Sequence, residues 1–340
     1  MQTLKPLSDP MTSSLKTEWD ALLGERAEAG FMQSVDWATF KQSEGYEVLR
    51  LGLFEGETIV GGGTLLWFPS ERKPGFVLCP EGPALDWENR ETSRDALRLF
   101  IEAAQNWKAE AIGLRIEPHL GLPRPSVLRN WKRAPIDLTP VQSLHLDLTL
   151  GEDELKAQMH PKCRYNLGLA ERHGVTVRES RDKGDLHTFY RLFADTARRQ
   201  QFFGEPFGFF LNLAETMFPS GMASLLFAER EGEILSAMLS VRYGRRATYL
   251  YGASRPETRN FMPNYALHWH AVLLAREAGC REYDFYGYDP YGQKDHAYAG
   301  FSRFKRGWGG IRVDSIGAWE ILFYDRLADR LVEALAEKTA

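Results

Sequence analysis

The sequence predicts an α/β (α+β) chain folded as two similar domains, and three observations carry that expectation. Its 340 residues exceed the roughly 250–300 at which a single hydrophobic core stops growing. A short motif, EGE, recurs at 55–57 and 231–233, each time between apolar runs. Segments with helical spacing alternate with strand-like ones, the order expected of α/β units.

In both copies of the motif a tight acidic-glycine turn joins two strand-like segments: LRLGLF (49–54) to TIVGGGTLL (58–66), and ASLLFAE (223–229) to ILSAMLSVRY (234–243). Each reads as a β-hairpin, and two hairpins 176 residues apart suggest two copies of one fold. Before the first hairpin, Gln33, Ser34, Trp37, Phe40 and Lys41 open an amphipathic helix with Trp37 and Phe40 in the core. The spacing predicts a helix over 94–107, followed by the strand AIGLRIE (111–117). TLGE (149–152) has the pattern of a capping box, and Pro161 then kinks or restarts that helix, near where the second domain begins. Further helices are predicted over 186–197 and 263–278, the latter leading into the strand-like YDFY (283–286). A last amphipathic helix over 319–337 is expected to pack back on the first domain.

Composition narrows the function classes. Hydrophobic residues at 44% and charged residues at 26% are ordinary for a globular chain. The longest apolar runs, such as AVLLA (271–275), are too short to span a bilayer, and MQTLKPLSDPMTSS lacks the apolar core of a signal peptide, so a cytoplasmic protein is expected. Cys79, Cys163 and Cys280 lie far apart without CxxC spacing, which suggests neither a disulfide framework nor a thiolate metal site. A net charge of -4 gives no general footprint for DNA, and any contact with RNA must use a local basic patch.

Several motifs bear on chemistry. The R/Q-x-x-G-x-G/A loop that holds the pyrophosphate of acetyl-CoA is missing, as are serine nucleophile elbows and Walker loops. His268 and His270 stand two apart on a predicted helix and point away from each other, so no metal pair is expected. Lys162, Arg164, Tyr165 and Asn166 crowd a helix start. Cations are better placed at a helix C-terminus, so this group reads either as a solvated face or as a contact for an anion such as phosphate. Arg198 and Arg199 close the helix over 186–197, where they complement its dipole. The densest stretch, 249–310, combines YLYGAS, NYALHW, YDFYGYD and FSRFKRGWGG. Aromatic walls beside glycines that permit close backbone approach suit a groove for an extended substrate, with ordinary β-core as the alternative.

In their order and spacing, QSVDWATFK (33–41), GPALD (82–86), KCRYNLGLAERHGV (162–175), TARRQQF (196–202), YLYGAS (249–254), YDFYG (283–287) and FKRGWGG (304–310) resemble the Fem family of aminoacyl-tRNA-dependent peptidyltransferases. Those enzymes add amino acids to the peptide stem of peptidoglycan precursors. The resemblance covers nearly the whole chain. It implies two tandem acetyltransferase-like (GNAT) domains, with mixed twisted sheets flanked by helices, over 1–146 plus 317–340 and over 147–316, and a substrate groove between them. The short stretch between Arg199 and Tyr249 is similar to the compact, FemX-like type, which lacks a coiled-coil arm. The acceptor of that type is soluble UDP-MurNAc-pentapeptide, whereas other members use lipid-linked precursors. Aminoacyl-tRNA is the implied co-substrate, with no further cofactor.

Carried over by position, the resemblance assigns Lys41 and Arg199 to the acceptor's diphosphate and Tyr251 to the same substrate. Lys305 matches the lysine credited with the chemistry, and Phe304 would lie near the terminal adenosine of the tRNA. Lys162, Arg164, Arg303 and Arg306 are the candidate local patch for tRNA. Two departures stand out: the usual RDGF is here Arg199, Gln200, Gln201, Phe202, and the usual YPRGP is CPEGP (79–83), with Glu81 in place of a cation. They keep open a Fem-like or GNAT N-acyltransferase working on a different amine, in a natural-product or exopolysaccharide pathway. An aminoacyl ester is already activated, so the role expected of Lys305 is stabilisation of the oxyanion and of the departing ribose oxygen, as neither nucleophile nor general base.

Overall fold

The computed structural model describes residues 2–69, 75–292 and 299–323. The chain divides into two compact units, Met1–Thr139 with Ser315–Ala340, and Pro140–Asp314.

Among the described residues the first unit holds β1 (Gln2–Pro6), α1 (Ser13–Gly24), α2 (Val35–Ser43), β2 (Glu47–Glu55), β3 (Thr58–Trp67), β4 (Phe76–Pro80), α3 (Arg90–Trp107), β5 (Gly113–Glu117), β6 (Lys132–Arg133) and, from the far end of the chain, β14 (Trp319–Leu322). Their order in the sheet is β1-β2-β3-β4-β5-β14-β6. Ser34 caps α2 by accepting the Trp37 N–H at 3.0 Å, which turns Trp37 and Phe40 into the core. The helix predicted over 94–107 begins four residues earlier, because Asn89 accepts the N–H groups of Glu91 and Thr92 at 3.2 and 3.1 Å. Its face of Ala96, Leu97, Phe100 and Ala104 packs against Leu51, Leu65 and Leu114 of the sheet.

The second unit holds β7 (Gln142–Asp147), α4 (Glu152–Gln158), α5 (Pro161–Arg172), β8 (Thr176–Ser180), α6 (Lys183–Gln200), α7 (Phe207–Met217), β9 (Ala223–Arg230), β10 (Glu233–Tyr243), β11 (Arg246–Ser254), α8 (Pro263–Glu277), β12 (Glu282–Asp284), α9 (Ala299–Arg306) and β13 (Ile311–Asp314). Its sheet, read from the β8 edge, runs β8-β9-β10-β11-β12-β7-β13. The two sheets match place for place: an antiparallel meander of four strands, one parallel pair (β4 with β5, β11 with β12), then two antiparallel strands.

The hairpin repeat is real, but its letters are out of step by one residue. Glu55 pairs with Thr58, and Arg230 pairs with Glu233, so the turn residues are Gly56 and Glu57 in one copy and Glu231 and Gly232 in the other. An extra residue follows at the third place of each second strand, Val60 and Leu235, where the register shifts. The structural equivalent of Gly56 is therefore Glu231.

Three local expectations are corrected. Thr149 does not cap α4; its hydroxyl donates to Asp147 at 2.6 Å, and the reciprocal bond of the cap runs from the Gly151 N–H to the Glu154 carboxylate at 2.8 Å. Residues 142–146, assigned to the first domain from the sequence, belong to β7, which hydrogen-bonds β12 and β13 and so lies wholly in the second sheet. The start of the helix expected over 319–337 is instead β14, inserted between β5 and β6. Trp319 and Ile321 alternate onto the core while Glu320 meets Arg115 at 2.9 Å, a period of two within a stretch whose longer pattern suggested a helix. The remainder of that predicted helix, 324–337, lies outside the described residues.

Candidate active site

FSRFKRGWGG folds as α9 followed by a tight glycine turn. Trp308 is fully buried, with its ring 5.9 Å from Phe285 and 6.0 Å from Phe304, and it anchors the helix to the second core. Gly310 has a φ of 79°, and a Cβ there would lie 2.4 Å from the His145 carbonyl oxygen, so only glycine lets the turn close on β7. With α9 fixed in this way, residues four apart share a face: Phe301 and Lys305 look one way, Phe304 and Trp308 another.

Lys305 is 5% exposed. Its Nζ donates to the Gly287 carbonyl at 2.6 Å and stands 5.6 Å from the centroid of the Tyr249 ring. Burial pulls its ammonium down to about 8, with the Asp284 carboxylate acting in the opposite direction. The lysine forms part of the wall of a cavity of about 300 Å³ lined by Phe193, Phe202, Tyr249, Tyr251, Tyr286 and Phe301, together with Leu250, Gly252 and Gly287. Leu250 is the residue skipped by the register between β10 and β11, so a bulge opens the sheet at this point. Gly252 lies beside it, and a Cβ there would meet the Tyr249 hydroxyl at 1.9 Å, so a larger residue would displace that ring. Tyr251 is held edge-on by Phe193 and Phe210, at 5.6 and 5.1 Å, and burial with the nearby Glu205 charge pushes its phenol up. Burial pushes the Tyr249 phenol up to about 12. Both tyrosines are therefore neutral hydroxyl groups at physiological pH.

Beneath the cavity lies an ionic cluster that the sequence did not reveal. His145 on β7 lies 3.3 Å from Asp284 and 3.4 Å from Glu282, and Glu282 meets Arg245 and Arg246 at 2.7 and 3.3 Å. Burial would lower the His145 imidazole and raise both acids. Their mutual charge wins, with His145 at about 9, Glu282 at about 2 and Asp284 well below the carboxylate range. A strand reading of YDFY assigns Asp284 only an alternating face, and no sequence spacing links it to His145, 139 residues upstream. His268, facing Phe304 and Phe285, is buried; burial and then the Lys305 charge drive it down to about 3, so it is neutral and accepts or donates to Tyr283 at 3.0 Å.

The structure gathers some of the sequence-selected residues and separates others. Tyr251 shares the cavity with Lys305. On the other face of α9, Phe304, Lys162, Arg303 and Arg306 line one pocket of about 580 Å³ with His160 and Tyr265. Arg164 is not in it; its guanidinium turns back onto the carbonyls of Lys156, Ala157 and Met159 at the end of α4. Arg199 donates to the Ser254 carbonyl at 3.1 Å and borders a third hollow with Arg191, Arg198 and Arg255. Lys41 belongs to the first unit, on α2, with its ammonium 4.1 Å from the Tyr46 ring centroid. Glu81, the acid standing in for a cation, is 1% exposed, accepts the Met32 N–H at 2.8 Å and lies 3.3 Å from His119, so it serves the interior of the first unit. Among the described residues no cluster of His, Cys, Asp and Glu is placed to hold a metal, and no helix is long and apolar enough to cross a membrane.

Comparison with known proteins follows this architecture. Residues 15–124 match the FemAB family and residues 161–306 match an acetyltransferase (GNAT) domain. The chain is 24% identical over 377 aligned residues to the lipid II:glycine glycyltransferase of Staphylococcus saprophyticus, covering 88% of this chain and 90% of that protein. It is 23% identical over 386 to the Staphylococcus aureus enzyme of that name, covering 90% and 91%. Its fold is similar to the crystal structure of FemX, with a TM-score of 0.85 at 21% identity over 96% of this chain and 99% of that one. A tandem GNAT protein from the clavulanic acid biosynthesis pathway is also similar in fold, with a TM-score of 0.55 at 13% identity over 95% and 98%. Between Arg199 and Tyr249 the chain forms α7, β9 and β10, with no inserted arm. With the FemAB match over 15–124, likenesses that span the chain and a shared two-sheet fold, the chain is similar to the Fem family of amide-forming acyltransferases.

Proposed function

We propose that this protein moves an aminoacyl group from aminoacyl-tRNA to the amine of a peptidoglycan-precursor stem peptide, carried by UDP-MurNAc or by a lipid. The observation that carries this reading is Lys305: a buried cation, hydrogen-bonded at 2.6 Å, at the wall of a cavity otherwise made of rings and neutral hydroxyls. In this reading the lysine offers a positive charge and a proton where water is scarce. The amine nitrogen bonds to the ester carbonyl carbon, and the carbon–oxygen bond to the ribose breaks. The ribose oxygen takes a proton from Lys305, and the proton shed by the nitrogen restores the ammonium. With its proton affinity lowered to about 8, Lys305 is still charged at neutral pH but gives up its proton more readily than an exposed lysine.

The pocket of Phe304, Lys162, Arg303 and Arg306 suits the end of a tRNA: a ring on which a base can stack beside cations for phosphate. Lys41, Arg199 and Tyr251 are the proposed contacts to the acceptor, with arginine able to engage two phosphate oxygens. The assay combines purified protein, charged tRNA and either UDP-MurNAc-pentapeptide or its lipid-linked form, with product followed by mass spectrometry. Lys305→Met is expected to lower kcat by about 10²-fold to 10³-fold, the usual loss for one oxyanion donor, while nucleotide-peptide binding is retained. Unchanged turnover in that variant removes Lys305 from the chemistry. No product with either acceptor moves the reading to a different amine.

A further inference from the structure

The ionic cluster and the lysine are joined by four residues of chain. Asp284, 3% exposed at the end of β12, accepts the Tyr286 N–H on Oδ1 at 2.7 Å. The Ser143 hydroxyl donates to the same carboxylate and lies 3.3 Å from the Tyr286 carbonyl. These bonds hold Tyr286 at a φ of 60°, the left-handed region that a tyrosine seldom occupies. The bend lets the next residue, Gly287, present its carbonyl oxygen to Lys305 Nζ. A buried carboxylate thus holds a strained backbone conformation beside the site of chemistry.

The surroundings of Lys305 leave Asp284 a second task. From α8 the lysine meets neutral His268, from β11 the phenols of Tyr249 and Tyr251, and on its own helix the exposed cations Arg303 and Arg306. Among the described residues, the carboxylate that acts on it is Asp284 on β12. Asp284 is itself kept ionised by His145, at 3.3 Å, and by Arg246.

We propose that Asp284 is a positioning residue for Lys305: through the Tyr286 N–H it fixes the bend that aims the Gly287 carbonyl at the lysine, and its charge keeps the lysine an ammonium inside an apolar cavity. The consequence for rate rests on the transfer reaction above; the effect on the lysine does not.

Asp284→Asn keeps an oxygen for the Tyr286 N–H and removes the charge. Acylation of Lys305 by acetic anhydride, followed at that residue by mass spectrometry across pH, reads the titration of the lysine whatever the protein's substrate. The midpoint is expected to fall by about one unit in the variant, since an opposite charge nearby is worth about that much. In the transfer assay kcat at neutral pH is expected to fall about twofold with KM for the acceptor little changed, and the alkaline limb of kcat to move to lower pH with the lysine. If the asparagine variant does not fold, Ser143→Ala supplies the test. It takes one hydroxyl from Asp284 and Tyr286, and a smaller downward shift with a correspondingly smaller loss of kcat is expected. A Lys305 midpoint identical to wild type in each folded variant overturns the proposal. Absence of transfer by the wild-type protein overturns the functional reading instead, and the labelling midpoint still decides the role of Asp284.

Discussion

On folding, the Lys305 side chain leaves water and its proton affinity drops from 10.5 to about 8. Between those two pH values the unfolded chain holds a proton that the folded chain has shed, so stability rises with pH across that window. Below pH 8 the folded protein carries the whole penalty, about 3 kcal/mol. Lys305→Met removes this penalty and forfeits the hydrogen bond to Gly287, worth about 1 kcal/mol. The variant should therefore have its kcat lowered by about 10²-fold to 10³-fold yet be more stable by about 1–2 kcal/mol at pH 7, measured by urea denaturation. A destabilised variant would mean that burial of the lysine carries no such penalty. The same shift sets the pH dependence of the reaction: kcat should decline as pH rises through about 8, because the ammonium is the active form. A rate that stays flat on the alkaline side would argue against that form. At this scale the sequence was informative where residues are adjacent. Lys305 and Phe304 could be selected from one motif, whereas Asp284 and His145 meet only because β12 pairs with β7.

The secondary elements follow local chemistry closely, and their misreadings have local causes. Helices begin where Ser34, Asn89 and Asp182 cap them, and α5 begins at Pro161, whose missing N–H costs nothing at a first helical position. The hairpins show the limit of letter matching. A two-residue turn places Glu231 at a φ of 52° and Gly232 at 81°, so both central residues are left-handed and Glu231 is strained. Glu231→Asn suits this turn better and should raise stability by about 0.5–1 kcal/mol. For a chain of this size that is a shift of about 1 °C in Tm, read by calorimetry. The ion pair of Glu231 with Arg230 that would be lost lies at the surface and contributes little. No gain in Tm would show that the turn carries no strain.

Across the whole molecule, each sheet reserves its sixth place for a strand remote in sequence from its neighbours: β14 in the first sheet and β7 in the second. The first unit is thus incomplete until the chain has passed through the second. β14 pairs with β5 on one side and β6 on the other, and Arg115 joins Glu320 across that seam at 2.9 Å with both side chains largely buried. Removing residues 315–340 leaves the β5 edge bare and β6 without a partner, so the first unit should lose its fold. Limited proteolysis of the shortened protein is expected to degrade 1–139 and leave 140–314 resistant, and a resistant first unit would mean that β14 is dispensable.

By itself the sequence determined the class of fold, the duplication, most helix starts and the segment that carries the lysine, because capping, turn chemistry and hydrophobic period act over a few residues. The tertiary structure alone decided that 319–322 fills a gap in a sheet built mainly from residues before 120, since an open strand edge outweighs a helical pattern. It also decided which of the selected cations share a pocket and which fold back on the backbone, as Arg164 does. And it decided the electrostatics of FSRFKRGWGG: burial lowers the proton affinity of Lys305, and only the pairing of β12 with β7 brings together His145 and Asp284, the acid opposing that fall.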